Sequence, residues 1–393
     1  MKKPILLTTL LLAAACGRPA DTFIADNVSF AADQIGREIE VIESHSEEVL
    51  NPIALKDDGT VHYGPYYDWR SGFFPGSVWL LYELTGDEQY VPLARKYTEA
   101  IQDVQNLTST HDVGFMAMCS FGNGLRLADI EAYKPVLVQT ARSLMTRFNP
   151  TAGVLQSWAP SEALDRKFPV IIDNMMNLEL LFKATELTGD STFFQAAVSH
   201  ADRTLKEHFH ENGSAWHVVD YDPETGEVRK RETHQGAGDQ SIWSRGQAWG
   251  IYGYTMTYRY TRDRRYLDQA LKIFRMMKDH PSMPEDGIPY WDMMAPEIPN
   301  EPRDASSAAI MASALYEICT QDVEAPEQYK AYADKLMASL ASPAYRAEPG
   351  TNGNFLLMHS VSSKPHNVEV DTALNYADYY FLEALCRKKE LER

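Results

Sequence analysis

The chain has 393 residues and a formal net charge of −18 at pH 7, and 44% of its residues are hydrophobic. A surface this acidic argues against nucleic acid as a partner, and any site for an anionic substrate must supply its own cations. The length exceeds the usual size of a single hydrophobic core, so we expect either two domains or one closed repeat architecture.

The first residues predict an export signal. Two lysines precede an apolar run that ends in three alanines directly before Cys16. This order is typical of a lipoprotein, in which residues 1–15 are removed and a lipid is attached to Cys16, and a plain cleaved signal is the alternative. The run is too short to span a bilayer. We expect a protein in the periplasm or on the outer membrane that touches the membrane only through its lipid, with a linker at 16–24 and one domain over 25–393.

The remaining cysteines, at positions 119, 319 and 386, show no CxxC spacing. They therefore indicate neither a disulfide framework nor a zinc site, and we expect them to be buried like small apolar residues. No HExxH motif or other cluster of metal ligands is present, so the sequence predicts no metal and no cofactor.

A short pattern recurs three times, at residues 84–90, 187–193 and 260–266. In each copy an apolar segment ends at a Gly or Arg turn, an aspartate follows, and an aromatic residue comes three positions later. The aspartate is placed to cap a new helix, and the aromatic ring to pack at its first turn. The pattern predicts repeated helical hairpins.

Two classes of helix alternate along the chain. One class is apolar nearly all round and the other has a charged face, which predicts buried inner helices and exposed outer helices. With an amphipathic helix near 25–49 as the sixth outer member, the count predicts an all-α, single-domain (α/α)6 toroid, with an open solenoid as the alternative. The inner helices are predicted near 73–84, 114–129, 174–187, 246–260, 305–318 and 372–385, and the other outer helices near 88–103, 133–148, 191–209, 264–279 and 326–341.

Acidic, cationic and aromatic residues gather just before the inner helices, at residues 66–76, 111–115, 171–177, 243–249 and 302–307. In an up-and-down toroid these segments open at one end. Carboxylates for proton transfer, guanidinium donors and aromatic faces are the groups a carbohydrate pocket needs. Taken singly, each aspartate also fits a helix cap and each tryptophan a core position, so the prediction depends on all five segments meeting at one mouth.

Four of these motifs carry a family resemblance: HDVGF at 111–115, IDNMMN at 172–177, WSRGQAW at 243–249 and EPRD at 301–304. Together they resemble the unsaturated glucuronyl hydrolases, glycoside hydrolase family 88, from about residue 60 to the C-terminus. The resemblance implies an enzyme that releases a terminal 4,5-unsaturated uronic acid from oligosaccharides left by polysaccharide lyases. It also implies hydration of the C4=C5 double bond, without direct displacement at the anomeric carbon.

The resemblance further implies roles for individual residues. Asp173 resembles the general acid and base, and Asp112 the second essential acid, which holds ring hydroxyls. Apolar neighbours of Asp173 favour its protonated form by desolvation, whereas a helix N-terminus favours the anion. Arg245 is a candidate for contacting the uronate carboxylate. The remaining substrate-binding candidates are Trp69, His217, Gln235, Trp243 and Trp249, with Ser362 and Ser363 as an expected contact for the next sugar.

Three other functions stay open on the sequence alone. A hydrolase of the unsaturated rhamnogalacturonyl type would share the toroid and the chemistry but take pectin fragments. A sugar-binding lipoprotein would use the same mouth as a cup, yet it would have no need of two acids there. A helical-repeat scaffold for proteins would present a broad concave surface instead of a closed aromatic pocket.

Overall fold

The computed structural model describes residues 22–45 and 51–393. The predicted signal and Cys16 lie outside these residues. The first helix, α1 (Thr22–His45), begins three residues before the predicted position and buries Phe30, Ile35 and Ile39 along one face. Across the described ranges, no helix combines the length and apolar character that crossing a membrane demands.

Six inner positions form the barrel. The second of them is a composite, because α4 runs through a π-helical turn at Met118–Gly122 into α5. The third begins as a 3-10 turn, Ile172–Asn177, which continues into α7. The inner helices are α2 (Phe73–Thr85), α4 (Val113–Ala117) with α5 (Asn123–Ala128), α7 (Leu178–Thr188), α9 (Ser244–Thr261), α11 (Ala305–Ile318) and α13 (Asn375–Leu391).

The outer helices alternate with the inner ones along the chain. Each outer helix packs on the inner helix that precedes or follows it, and α1 packs on α2 and α13 to complete the outer layer. The remaining members are α3 (Tyr90–Glu99), α6 (Tyr133–Met145), α8 (Ser191–Glu207), α10 (Arg264–Lys278) and α12 (Pro326–Leu340).

The inner ring is closed. The last inner helix, α13, packs against both α11 and the first inner helix, α2. It is buried along almost its whole first four turns and so offers no polar capping face. Closure of the predicted toroid is therefore confirmed over the open solenoid, and the described domain has one continuous main core.

The recurring hairpin turns have the predicted geometry, except that Asp87 does not cap α3, whose N-cap position is Gln89. The turns at Gly86, Gly189 and Arg262 adopt the left-handed conformation that ends the inner helices. The side chains of Asp190 and Asp263 then accept hydrogen bonds from backbone N–H groups at the start of the next helix. These short-range signals fix where each inner helix turns into an outer one.

Short antiparallel strands, which the sequence analysis did not predict, cover the mouth of the barrel. They are two to five residues long, too short for a clear alternating pattern. β5, β6 and β7 form one three-stranded sheet, and the others pair as β1 with β2, β3 with β4, and β8 with β9. Their bounds are β1 (Asn51–Leu55), β2 (Val61–Gly64), β3 (Phe148–Asn149), β4 (Val154–Leu155), β5 (Pro169–Ile171), β6 (Val218–Tyr221), β7 (Val228–Glu232), β8 (Ser360–Ser363) and β9 (Val368–Thr372).

Candidate active site

A cavity of about 320 Å³ opens where the inner helices begin. Its wall combines segments that are far apart in sequence, as the sequence analysis expected. Both predicted acids and most of the predicted polar contacts line it. The lining residues are Trp69, Asp112, Trp158, Ile171, Asp173, His234, Gln235, Arg245, Ser362, Ser363, His366 and Val368.

Asp173 is fixed by the junction of β5 with the 3-10 turn before α7. The N–H of Ile172 donates to the carbonyl of His217 at 3.1 Å, and Ile171 pairs with Val218 on β6. This pairing holds the Asp173 carboxylate and the His217 ring side by side, with His217 Nε2 3.9 Å from Asp173 Oδ2.

The surroundings of Asp173 favour its protonated form. The side chain is 14% exposed, and Oδ2 has no hydrogen-bond partner among the described residues. Burial raises the pKa of Asp173 to about 7, Arg245 acts against that shift, and the charge of Asp112 adds to it. The desolvation expected from the apolar neighbours therefore outweighs the helix N-terminus, and the carboxyl group can hold a proton at neutral pH.

His217 is a neutral ring that lies beside Asp173 without a hydrogen bond to it. Its side chain is 1% exposed and does not line the cavity. Its Nδ1 accepts from the backbone N–H groups of His234 and Gln235, both at 3.1 Å. Burial, the nearby His234 and Arg245 lower the pKa of His217 well below its ordinary value. Since Nδ1 is an acceptor in a neutral ring, the single ring proton sits on Nε2, the atom that faces Asp173.

Asp112 begins α4 but does not cap it, because its side chain makes no hydrogen bond to the helix backbone. Its Oδ2 instead accepts from Thr110 Oγ1 at 2.9 Å, and its Oδ1 lies 3.3 Å from Nε2 of the buried His111. Asn177 completes this support, since its side chain contacts both His111 and the N–H of Phe115. Asp112 is thus oriented by neighbouring groups while its carboxylate faces the cavity.

Arg245 lines the cavity, yet its hydrogen bonds go elsewhere. Both of its terminal nitrogens donate to carbonyls of β8, those of Val361 and Ser362. The guanidinium also stacks on Trp243 and lies 3.7 Å from Asp304. The side chain is 2% exposed. Arg245 therefore holds the β8–β9 hairpin in place with two of its N–H donors and lowers the pKa of Asp173 electrostatically, and its contact with the uronate carboxylate stays a prediction.

The three predicted tryptophans divide into two groups. Trp69 lines the cavity and is half-buried against Phe73 and Phe115. Trp243 and Trp249 are only 3% and 0% exposed and do not reach the cavity surface, so the expectation that they form its wall is wrong. They act as supports, because inner-helix starts are packed too tightly to leave three tryptophans open to solvent.

The cavity wall also contains aromatic and histidine residues that sequence reasoning missed. Trp158 is half-buried, and its ring meets His217 and His234 edge to face at centroid distances of 5.8 and 5.0 Å. His366 packs on His234 at 4.4 Å. These residues come from loops and short strands, where no helical period marks them. The available signal was a tryptophan, Trp158, in the irregular segment between β4 and β5.

The β8–β9 hairpin and the residues beside it form another side of the cavity from the segments that carry Asp112 and Asp173. Gln235 donates from its side-chain amide to the carbonyl of Ser362 at 2.9 Å, so its predicted substrate role is shared with a structural one. Ser363 Oγ lies 2.7 Å from His366 Nδ1. The structure thus brings Gln235, Ser362 and Ser363 to the cavity, as predicted for the next-sugar contact.

A larger cavity, of about 530 Å³, opens at the opposite end of the barrel. It is separated from the mouth by an aromatic layer along the barrel axis, in which Phe115 contacts Trp249 and Trp249 contacts Tyr380. Several of its carboxylates are paired with arginines, as in Arg259 with Glu179 at 2.6 Å. Within the described ranges, no group of three or more His, Cys, Asp or Glu residues could hold a metal ion.

The chain is similar to proteins of known family and structure. The family model described as Glycosyl Hydrolase Family 88 matches residues 45–386. An unsaturated glucuronyl hydrolase of Formosa agariphila is 44% identical over 367 residues, which cover 91% of each chain. The unsaturated glucuronyl hydrolase of Bacillus sp. strain GL1 is 34% identical over 81% of this chain and 86% of its own length.

Solved structures show the same arrangement. An unsaturated glucuronyl hydrolase described as specific for heparin superposes with a TM-score of 0.91 at 42% identity, covering 95% of this chain and 98% of its own. An aspartate-to-asparagine mutant of the Streptococcus agalactiae enzyme, in complex with dGlcA-GalNAc6S, gives a TM-score of 0.77 at 29% identity over 93% of this chain and 91% of its own.

Proposed function

The chain belongs to glycoside hydrolase family 88 and is an unsaturated glucuronyl hydrolase, and from that premise we propose how its own residues carry out the reaction. Asp173 is the general acid and base, and Asp112 is the second essential acid. Trp69 and Trp158 bind the faces of the sugar and Gln235 binds its polar edge, while the buried His217 supports Asp173. The proposal is supported most by one observation: the cavity joins Asp112 to an Asp173 whose Oδ2 is buried and unpaired.

The chemistry begins with the proton on Asp173. The carboxyl group gives this proton to C4 of the enol ether, which leaves an oxocarbenium ion shared by C5 and the ring oxygen. A water molecule adds at C5 and returns a proton to the Asp173 carboxylate. The resulting hemiketal opens to a ketone, and the hemiacetal left at C1 releases the rest of the oligosaccharide. Asp173 ends the cycle protonated, as it began.

The neighbours of Asp173 support both halves of this cycle. The Nε2–H of His217 points toward Asp173 and can donate to the carboxylate after the proton has left. Asp112 raises the pKa of Asp173 while it holds ring hydroxyls of the uronate. A developing positive charge at C5 is stabilised by the same negative carboxylate.

The test is direct. Hydration of the double bond destroys the conjugated enol-uronate, so its ultraviolet absorbance should decay when the folded domain is mixed with lyase-generated disaccharides. Decay on at least one of a panel of glycosaminoglycan, ulvan and pectin products supports the activity. Absence of decay across the whole panel contradicts it.

We further propose that the natural substrate is a glycosaminoglycan disaccharide of the heparin type. The support is the similarity to the structure described as specific for heparin, which extends over 95% of this chain. Curated relatives from streptococci, named unsaturated chondroitin disaccharide hydrolases, are 28–33% identical. Turnover of unsaturated heparin disaccharides that is slower than turnover of chondroitin disaccharides would contradict this assignment.

The contacts of the β8–β9 hairpin favour a substrate whose second sugar carries no sulfate on the side that faces Ser363 and Lys364. Lys364 donates to the buried carboxylate of Glu301 and lies over the ring of Trp291 at 5.6 Å. Ser363 is held by His366. Because these two donors already have partners, a sulfate would have to break existing contacts. Unsulfated disaccharides should therefore have the higher kcat/KM when compared with sulfated ones of the same backbone.

We also propose that the protein is exported and anchored through a lipid on Cys16. The support is the sequence around Cys16, and α1 begins six residues later, at Thr22. A tether this short would hold the barrel close to the membrane. Mass spectrometry of the protein from its host should find a diacylglyceryl group on Cys16, and the variant Cys16→Ser should be released from membranes. An unmodified residue at position 16 would contradict the anchor.

A further inference from the structure

Two adjacent tyrosines at the mouth are exposed without an evident structural reason. Tyr66 and Tyr67 are 36% and 60% exposed, and their rings meet edge to face with centroids 5.3 Å apart. Large apolar side chains in the described domain are mostly buried. The pair lies directly before Asp68 and Trp69, and Trp69 lines the active-site cavity. Exposed aromatic faces beside a sugar pocket are themselves a sugar-binding surface.

The loop that carries the two tyrosines is held rigidly. The hydroxyl of Ser71 donates to the carbonyl of Tyr66 at 2.8 Å. The N–H of Ser71 donates to the carbonyl of Asp68 at 2.9 Å, and the N–H of Asp68 to that of Pro65 at 3.0 Å. A ligand that binds here would not have to order the loop first, so little conformational entropy would be lost.

Arg70 ties this loop to the β8–β9 hairpin. Its buried guanidinium donates to both carboxylate oxygens of Asp68, at 3.0 Å each, and to both of Glu369, at 2.8 and 2.6 Å. Glu369 itself adopts a left-handed backbone conformation with φ of +48°, which is unfavourable for a residue with a Cβ. The ion pairs therefore hold β9 against the tyrosine loop in a conformation it would not prefer alone.

The same linkage defines a continuous exposed strip. Val368, which precedes Glu369, is 46% exposed and lines the active-site cavity. Because Arg70 joins Glu369 to Asp68, Val368 and the two tyrosines share one part of the rim. This part adjoins the Ser362–Ser363 side of the cavity, where the second sugar is expected.

We propose that Tyr66, Tyr67 and Val368 form a platform that binds sugar residues beyond the disaccharide, on the reducing-end side of the scissile bond. The inference rests on the proposed function and extends it to longer substrates. The platform recognises the apolar face of a neutral pyranose by stacking. It does not select sulfate, because the one guanidinium present, on Arg70, is already shared by two carboxylates.

The experiment compares an unsaturated disaccharide with an unsaturated tetrasaccharide that the same lyase produces from the same polymer. The quantity measured is the ratio of kcat/KM for the tetrasaccharide to kcat/KM for the disaccharide. Loss of one stacked ring in Tyr67→Ala should lower this ratio about tenfold. Tyr67→Phe keeps the ring and should preserve the ratio. Val41→Ala removes an exposed apolar side chain from α1 and is the control for general surface effects.

An unchanged ratio in both Tyr67→Ala and the double variant with Tyr66→Ala would overturn the platform. An equal fall in Tyr67→Phe would overturn stacking as its basis. Calorimetry in the Asp173→Asn background separates this inference from the reaction itself, because binding of the tetrasaccharide over the disaccharide can be measured without turnover. A preference for the tetrasaccharide that Tyr67→Ala removes would uphold the platform even if the proposed chemistry failed.

Discussion

Both ends of the barrel hold cavities lined by carboxylates and arginines, but the carboxylates differ in whether they have partners. At the end opposite the mouth, Arg126 lies 2.7 Å from Glu83, and Arg259 lies 2.6 Å from Glu179. At the mouth, Asp173 Oδ2 has no hydrogen-bond partner, and its neighbour His217 is neutral. The opposite cavity is the larger one, at about 530 Å³ against 320 Å³.

The difference separates structural charges from reactive ones. Burial of Glu83 acts against its hydrogen bonds from Arg126, yet the bonds prevail and its pKa is lowered. At Asp173 burial prevails over Arg245, and the pKa rises to about 7. A paired carboxylate stays ionised and holds helices together, whereas an unpaired buried one can exchange a proton near neutral pH. The proposed active site is in the smaller cavity, so cavity size alone would not have selected it.

The sharpest test of this comparison replaces one acid at each end. Asp173→Asn should lower turnover by at least ~10³-fold, because the amide cannot give up a proton to C4. Its melting temperature should stay near that of the wild type, since the native carboxyl is largely neutral. The matched variant Glu179→Gln should keep most of its turnover. Ultraviolet decay and thermal melting measure the two effects, and substantial activity in Asp173→Asn would remove it from the acid role.

Asp112→Asn should have the next largest effect. We expect kcat to fall about 10²-fold while the substrate still binds, because the ring hydroxyls keep a partner but charge stabilisation is lost. The pKa of Asp173 should fall, since the negative charge of Asp112 raises it. The alkaline limb of the pH–rate profile should therefore move to lower pH. Asp103→Asn, at an exposed position, is the control, and a wild-type rate in Asp112→Asn would contradict its assignment.

The pH dependence of the wild-type enzyme gives the third test. The proposed mechanism needs the protonated form of Asp173, and burial raises the pKa of that group to about 7. Activity should therefore be retained below that pH and should fall as the pH rises through it, by about tenfold per unit well above the pKa. Measuring kcat for a saturating disaccharide between pH 5 and 9 checks this. A rate that stays level to the alkaline end would mean that another group supplies the proton.

At the opposite end, the expected effect is on stability. Arg259→Met leaves Glu179 and the largely buried Glu317 without their shared guanidinium. We expect the free energy of unfolding to fall by about 2 kcal/mol, a value reduced from that of fully buried pairs because the Arg259 side chain is one-third exposed. Urea unfolding measures this change. If turnover per folded molecule also fell strongly, the division between the two ends would be wrong.

A further effect on stability comes from two buried histidines, at the end of α8 that holds His200 and His208. Burial lowers the pKa of His200 to about 3, and it lowers that of His208 well below the ordinary value. Each ring is neutral in the folded chain but takes up a proton in the unfolded chain below about pH 6.5. Stability is thus fully present above that pH and is lost as the pH falls, by up to ~1.4 kcal/mol per unit for each ring.

Chemical denaturation at pH 7, 6 and 5 checks the histidine prediction. The variant His208→Gln, which removes one titrating ring, should show a shallower loss of stability with falling pH, whatever its stability at pH 7. An identical slope in this variant would exclude His208 as a source of the acid sensitivity.

The fold was largely predictable because its signals are local and repeated. The turns at Gly86, Gly189 and Arg262 and the aspartate caps after two of them follow from backbone preferences within a few residues. Most helix bounds were correct to within about four residues for the same reason, but α13 ends at Leu391, six residues beyond its predicted end. The short strands could not be predicted, because two to five residues are too few for a clear alternating pattern. One pairing, that of Ile171 with Val218, also joins segments about fifty residues apart.

The sequence predicted which segments form the site, but it did not predict the contacts and exposure of the individual residues. Spacing placed Asp112, Asp173 and Arg245 at one mouth, and they line one cavity. The sequence could not show that Arg245 donates hydrogen bonds to carbonyls of the β8–β9 hairpin, because these contacts join positions more than a hundred residues apart. It also could not rank the tryptophans, since exposure depends on packing of the whole ring of helices.

The aromatic layer of Phe115, Trp249 and Tyr380 makes the active-site cavity a dead end. Nothing can thread through the barrel, so only the terminus of a saccharide can reach Asp173, and both fragments must back out along the route by which the substrate came in. The products and the next substrate must therefore use the same entrance. The rate at which the products leave the cavity then sets an upper limit on the turnover rate.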